Sequence, residues 1–200
     1  MNEYHSENGR IHLFNMDCME YMAQFPDNYF ELAIVDPPYG LGDKTTNGGC
    51  NKNTQVKFKE HDWDKEIPKD DYFKELFRVS KNQIVWGANN FIMPPSEYFL
   101  IWNKMQTVDN FATAEYAWVS MGLKTPAKIF DYGIHKHNHT DKIHPTQKPI
   151  ELYKFILDKY AKQGDKILDT HLGSASSRIA AYDLNFDFIG FELDPEYIEK

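Results

Sequence analysis

Residues 166–192 constrain the fold more than any other stretch of the chain. Lys166–Asp169 (KILD) is a short apolar run closing on an acid. THLGSAS is a turn of small residues, Ser174–Leu184 has a helical pattern, and Phe186–Phe191 (FDFIGF) is a second apolar run, closing on Glu192. Strand, glycine-containing turn, helix and strand form a βαβ unit, whose crossover places its two strands parallel in one sheet. The rest of the chain repeats this alternation. Leu32–Val35 (LAIV) reads as a strand buried on both faces, Asp70–Ser80 as an amphipathic helix, and Ile84–Trp86, Phe99–Trp102 and Ala114–Val119 as further strands. Asp17–Gln24 is a short helix, and Pro149 opens another that carries Leu152, Tyr153, Ile156, Leu157 and Tyr160 and stops at Gly164. The predicted class is α/β, a mostly parallel sheet with helices on both faces.

The chain has 200 residues, a single large domain at roughly 150 residues per domain. Cys18 and Cys50 lack the spacing of a zinc site or a redox pair and read as reduced thiols of a cytosolic protein. The N-terminus has no apolar signal segment, and no run approaches the roughly 20 apolar residues of a membrane helix. Leu41–Glu60, rich in Gly, Asn, Thr and Lys, reads as a long mobile loop. GFELDPEYIEK reads as a strand followed by the start of a further helix.

Two strand ends carry chemistry. In the βαβ unit, the glycine turn allows a ligand close to backbone at a helix start. Glu192, 23 positions after Asp169, can accept hydrogen bonds from ribose hydroxyls; the usual spacing is about 20. The other site is Asp36-Pro37-Pro38-Tyr39-Gly40, directly after LAIV. Proline offers only a carbonyl acceptor at fixed φ. Asp36 and the Pro37 carbonyl therefore present two acceptors beside the Tyr39 ring, a set suited to a planar base with an exocyclic NH2.

DPPYG, together with HPTQKP at His144–Pro149 and GFELDPEY at Gly190–Tyr197, resembles the AdoMet-dependent DNA amino-methyltransferases. The order, with DPPY ahead of the glycine turn, resembles their β class. NMDCMEYM…LAIVDPPY over Asn15–Tyr39 and WGANN over Trp86–Asn90 extend the likeness along nearly the whole chain. The resemblance implies a Rossmann-like methyltransferase fold, S-adenosyl-L-methionine as cofactor and DNA as partner. It implies Asp36, Pro37, Pro38 and Tyr39 as the catalytic loop. Asp17 would face the cofactor adenine, and Lys148 and Pro149 would lie near its methionine end. Asp169, Gly173 and Ser174 would wrap it, and Glu192 would hold its ribose. The turn departs from the usual DPFxGSGT: Thr170, His171 and Ala175 stand where members have proline, phenylalanine and the second glycine. Ala175 is accommodated if its φ is negative.

The leading Asp of DPPY is more typical of adenine-N6 enzymes, with cytosine-N4 as the alternative. A catalytically silent AdoMet- or DNA-binding module is the alternative from another class. The acidic excess, 30 against 22 for a formal charge of −8, argues against a basic surface throughout. Residues 121–150 reverse it locally, with Lys124, Lys128, Lys136, Lys142 and Lys148 against Asp131 and Asp141. Members of the family usually carry target recognition here, so 121–144 is the expected recognition segment and Lys124, Lys128, Lys136 and Lys142 the expected DNA contacts. Lysines of the 41–60 loop are further candidates. His135, His137 and His139 would share one face of a strand and invite zinc. The flanking lysines and the lack of a thiolate or carboxylate at ligand spacing favour a DNA-contacting loop without metal. The class also raises a homodimer, for which no stripe identifies an interface.

Overall fold

The computed structural model describes residues 3–40, 66–109, 111–138, 143–144 and 146–198. The expected loop 41–60 lies outside these, as do Lys142 and His139. Among the described residues nine strands form one sheet: β1 (Glu3–His5), β2 (Ile11–Asn15), β3 (Phe30–Val35), β4 (Ser80–Trp86), β5 (Phe99–Asn103), β6 (Ala114–Val119), β7 (Lys128–Asp131), β8 (Lys166–Asp169) and β9 (Asp187–Glu192). Their order is β1-β2-β9-β8-β3-β4-β6-β5-β7. Helices are α1 (Cys18–Met22), α2 (Asp70–Val79), α3 (Ile134–Asn138), α4 (Ile150–Tyr160), α5 (Ser176–Asp183) and α6 (Pro195–Ile198).

The sheet is mostly parallel, as expected. Pairings β2–β9, β8–β9, β3–β8, β3–β4 and β5–β7 are parallel, while β1 and β6 run against their neighbours. Both faces are covered. Alternate residues of the strands point to opposite sides, so Leu32, Ile34, Ile84 and Trp86 join the α4 and α5 side chains in one core. Ala33, Val35 and Val85 join α1 and α2 in the other. Tyr72, Phe73, Leu76 and Val79 form the buried stripe of α2. Among the described residues no helix is long and apolar enough to cross a membrane.

Several expectations need correction. The stretch 124–144 is not only loop: Lys128–Asp131 pairs with β5 as the edge strand β7, and Ile134–Asn138 is helical. An edge strand bonded on one side needs no continuous apolar run, which hides it from a hydrophobicity reading. His135 and His137 therefore lie on a helix rather than one face of a strand. His135 is exposed and His137 buried, its Nε2 at 2.6 Å from the Gln147 carbonyl oxygen. Among the described residues no cluster could hold a metal ion. Helix α4 ends at Tyr160, before Gly164, which instead turns the chain into β8 with φ +92°.

Candidate functional site

Every parallel strand of the sheet ends at one edge, and open α/β sheets bind ligands along that edge. The ends of β3, β8 and β9 deliver Asp36, Thr170 and Glu192 to the wall of a single cavity. Asp17, Pro37, Pro38, Tyr39, Lys148, Gly173 and Ser174 share that wall. The structure thus brings together most of the expected site. Asp169 and Pro149 do not line the cavity.

Strand β3 stops because Pro37 and Pro38 have no N–H with which to continue a ladder. Tyr39 folds back, and its hydroxyl donates to Asp36 Oδ1 at 2.5 Å. Room for that ring comes from Gly87, the first residue after β4. A Cβ there would lie 2.1 Å from Tyr39 Cε1, and the backbone sits at φ +63°, so glycine is required twice over. Gly87 carried no assigned role in the sequence reading; it belongs to WGANN.

The other oxygen of Asp36, Oδ2, accepts a short hydrogen bond from Lys148 Nζ. The Lys148 side chain is 3% exposed. Its ammonium also lies 3.3 Å from the Tyr39 hydroxyl, 3.2 Å from Glu115 Oε2 and 5.3 Å from the centre of the Trp86 ring. Glu115 Oε1 in turn meets Lys104 Nζ at 2.6 Å. Four charges of alternating sign therefore run from Lys104 through Glu115 and Lys148 to Asp36. Burial pushes the Glu115 carboxyl up, but Lys148 and Lys104 outweigh it and hold the group down at about 2. Burial disfavours the Lys148 ammonium, yet Asp36 and Glu115 hold its pKa above the usual lysine range. Lys148 was expected near the methionine end of the cofactor; it lines the cavity and also bonds Asp36 of the expected catalytic loop. Glu115 and Lys104 were not anticipated. Glu115 is the second residue of β6, and the start of that strand reaches the carboxyl edge only because β6 runs antiparallel to β4 and β5.

At the βαβ unit, Glu192 Oε2 accepts from the Gly173 N–H at 2.8 Å and Oε1 from the Asp194 N–H at 2.9 Å. Burial nevertheless pushes its carboxyl up against these bonds. Each carboxylate oxygen has a further lone pair for a ligand hydroxyl. Gly173 lies at φ +51° with the His144 ring 3.7 Å from where a Cβ would stand. Asp169 is buried and does not line the cavity. Its Oδ1 accepts from the His171 N–H at 3.0 Å and its Oδ2 from Ser177 Oγ at 2.5 Å, so it shapes the turn. Burial pushes its carboxyl up to about 7 despite these bonds. Ala175 departs from expectation: φ is +58°, the left-handed region, at the entry to α5. Burial holds His171 at about 4, so it is neutral near pH 7 and edges against Tyr72 as an uncharged ring. Asp17 caps α1, accepting from the Met19 N–H at 2.8 Å.

Among the described residues, the expected DNA-contact lysines Lys124, Lys128 and Lys136 are not gathered in one place. β7 runs parallel to β5, with Leu100 opposite Lys128 and Asn103 opposite Asp131. Lys128 thus starts β7, away from the site edge. Lys124 lies farther back, beyond Ser120, whose N–H donates to the Gln83 carbonyl. Lys136 follows the site-side end of β7 and is exposed, its ammonium 4.8 Å from the centre of the Tyr132 ring.

Residues 80–200 match a family model described as DNA methylase, of the N6/N4 methyltransferase type. Type II methyltransferase M.HpaI of Haemophilus parainfluenzae is 24% identical to the chain, the match covering 92% of this chain and 70% of that protein. An M1.HpyAVI–SAM complex superposes with TM-score 0.61 at 18% identity, covering 94% of this chain and 96% of that one. The cytosine-N4-specific PvuII DNA methyltransferase gives TM-score 0.61 at 14% identity, covering 94% and 84%. The two solved structures share the fold seen here.

Proposed function

From a chain that belongs to the N6/N4 family of AdoMet-dependent DNA methylases, we propose that it methylates the exocyclic N6 of adenine, with Asp36, Pro37, Pro38 and Tyr39 as the loop that meets the target base. The observation that carries this reading is the placement of Asp36 and Glu192 on one cavity wall. One carboxylate suits an amine and the other a ribose diol.

The residues present fit AdoMet. Asp17, Asp36 and Glu192 make the lining acidic, which suits a sulfonium, and Gly173 leaves the turn open toward the His144 ring. AdoMet supplies an activated methyl group. Asp17, Gly173, Ser174 and Glu192 would hold it, and Asp169 would act indirectly by fixing the turn.

An exocyclic amine is a weak nucleophile because its lone pair is delocalised into the ring. Asp36 and the Pro37 carbonyl, accepting its two N–H bonds, would favour a pyramidal nitrogen and stabilise the positive charge that develops on it. The base is unreachable inside a duplex and must be flipped out. Tyr39 would stack on it, a contact worth about 1–3 kcal/mol. The bond from its hydroxyl to Asp36, together with the space left by Gly87, fixes that ring before the base arrives. The whole chain acts as one methyltransferase domain in this reading. Its recognition segment 121–144 includes β7 and α3.

Asp36→Ala is expected to lower methyl transfer to DNA by at least about a thousandfold, while AdoMet binding by calorimetry falls far less, by about tenfold or under. Nucleoside digestion of DNA labelled by the parent protein should give N6-methyladenine. N4-methylcytosine would overturn the base assignment, and full activity of Asp36→Ala would overturn the role of the loop.

A further inference from the structure

Lys148 poses an electrostatic problem for the reaction proposed above. An ammonium bonded to Asp36 neutralises the carboxylate just where positive charge must develop on the attacking nitrogen. With 3% of its side chain exposed, Lys148 has almost no water to screen it. It is also held in place by the Trp86 ring at 5.3 Å and the Tyr39 hydroxyl at 3.3 Å. Glu115 bears on the same ammonium, with Oε2 3.2 Å from Nζ. Glu115's remaining oxygen is tied to Lys104 at 2.6 Å, which fixes its orientation.

Resting on the reading that Asp36 receives the target amine, we propose that Glu115 is a positioning residue, the counter-ion of Lys148, and that it leaves Asp36 a net anion toward the cavity. Lys148 then orients Asp36 without consuming its charge. The antiparallel course of β6 brings this second carboxylate to the site edge.

The test uses two ligands that differ in charge at the reacting position. Sinefungin carries a protonated amine there, whereas S-adenosylhomocysteine carries a neutral thioether. Calorimetry on the full chain without DNA gives the ratio of their affinities, which reports the potential the protein imposes. Glu115→Gln should reduce the preference for sinefungin about tenfold, as removal of one nearby buried charge implies. Glu115→Gln combined with Lys148→Met, which removes both charges, should restore it. Lys148→Met alone should increase the preference, which keeps the test open if Glu115→Gln does not fold. For DNA methylation, kcat should fall in Glu115→Gln and partly recover in the double variant, with KM for DNA little changed.

An unchanged ratio in Glu115→Gln, or no recovery in the double variant, would overturn the role of Glu115. So would a Lys148→Met ratio no higher than the parent's. If the parent protein binds neither ligand, both this inference and the AdoMet site fail. If it binds both but methylates no DNA, the proposed reaction fails while the affinity ratios still decide whether Glu115 sets the charge at Asp36.

Discussion

Ala175 occupies a backbone conformation that glycine adopts freely and alanine adopts at a cost of roughly 1–2 kcal/mol. Its Cβ is the reason the turn departs from the family pattern in substance as well as spelling. Replacing it with glycine removes that strain but restores about 0.4–1 kcal/mol of chain entropy to the unfolded state. Ala175→Gly should therefore raise unfolding free energy by about 0.5–1 kcal/mol, read as a higher urea midpoint at unchanged slope; a midpoint at or below the parent's would contradict the strain. Four positions before Ala175, His171 fills the place of a phenylalanine. Its folded pKa near 4 lies below the ordinary 6.5 because burial disfavours the charged ring. Below pH 6.5 the unfolded chain binds a proton that the folded chain refuses, so His171 costs stability progressively as pH falls toward 4. The buried Asp169 acts with the opposite slope: it keeps its proton up to about pH 7 in the fold, so its contribution declines as pH rises from the ordinary carboxylate range toward 7. Comparing His171→Phe with the parent cancels the Asp169 contribution. The variant should gain about 2 kcal/mol relative to the parent between pH 7.5 and pH 4.5, measured by urea unfolding at both. An equal difference at the two pH values would show that His171 is not held neutral.

At the level of elements, the central strands were legible because burial on both faces writes itself as a continuous apolar run. LAIV, KILD and FDFIGF all became strands, and the acids that close the first and the last, Asp36 and Glu192, joined the cavity wall. The edges were less legible. β1 is exposed throughout and β7 half-exposed, so each owes its existence to a neighbour's hydrogen bonds more than to its own pattern. Strand direction was not legible either, since an apolar run looks the same read either way. That is why Asp36 could be placed at the site edge from sequence and Glu115 could not: one follows a parallel strand, the other is the second residue of an antiparallel one. The end of β4 offers a test at this scale. Gly87→Ala would place a methyl group inside the Tyr39 ring, so the ring must leave Asp36. Methyl transfer should fall by about a hundredfold or more, as expected when a group is displaced by an ångström or so, while AdoMet affinity changes little. Retained activity would mean that Tyr39 does not need the position that Gly87 leaves open for it.

For the molecule as a whole, a formal charge of −8 must coexist with a polyanionic substrate. The local basic excess of residues 121–150 was visible in the sequence, but its distribution over the fold was not. Because β7 is parallel to β5, the chain enters it on the side of the sheet away from the cavity and leaves it on the cavity side. Lys124 and Lys128 precede or begin that strand; Lys136 follows it. In the proposed reaction a duplex presenting a flipped base to Asp36 would lie over the strand ends, where counter-ions are released only by cations that reach its phosphates. Lys136→Ala should therefore weaken DNA binding similarly for all sequences and reduce the slope of log K against log salt by about 1, whereas Lys124→Ala should leave that slope unchanged. Fluorescence anisotropy across a salt series separates the two. If Lys124→Ala lowers the slope as much as Lys136→Ala, the duplex extends round the edge of the sheet and the recognition segment acts on both sides of it. If neither variant changes the slope, phosphate contact falls to other lysines, and the acidic body is offset elsewhere.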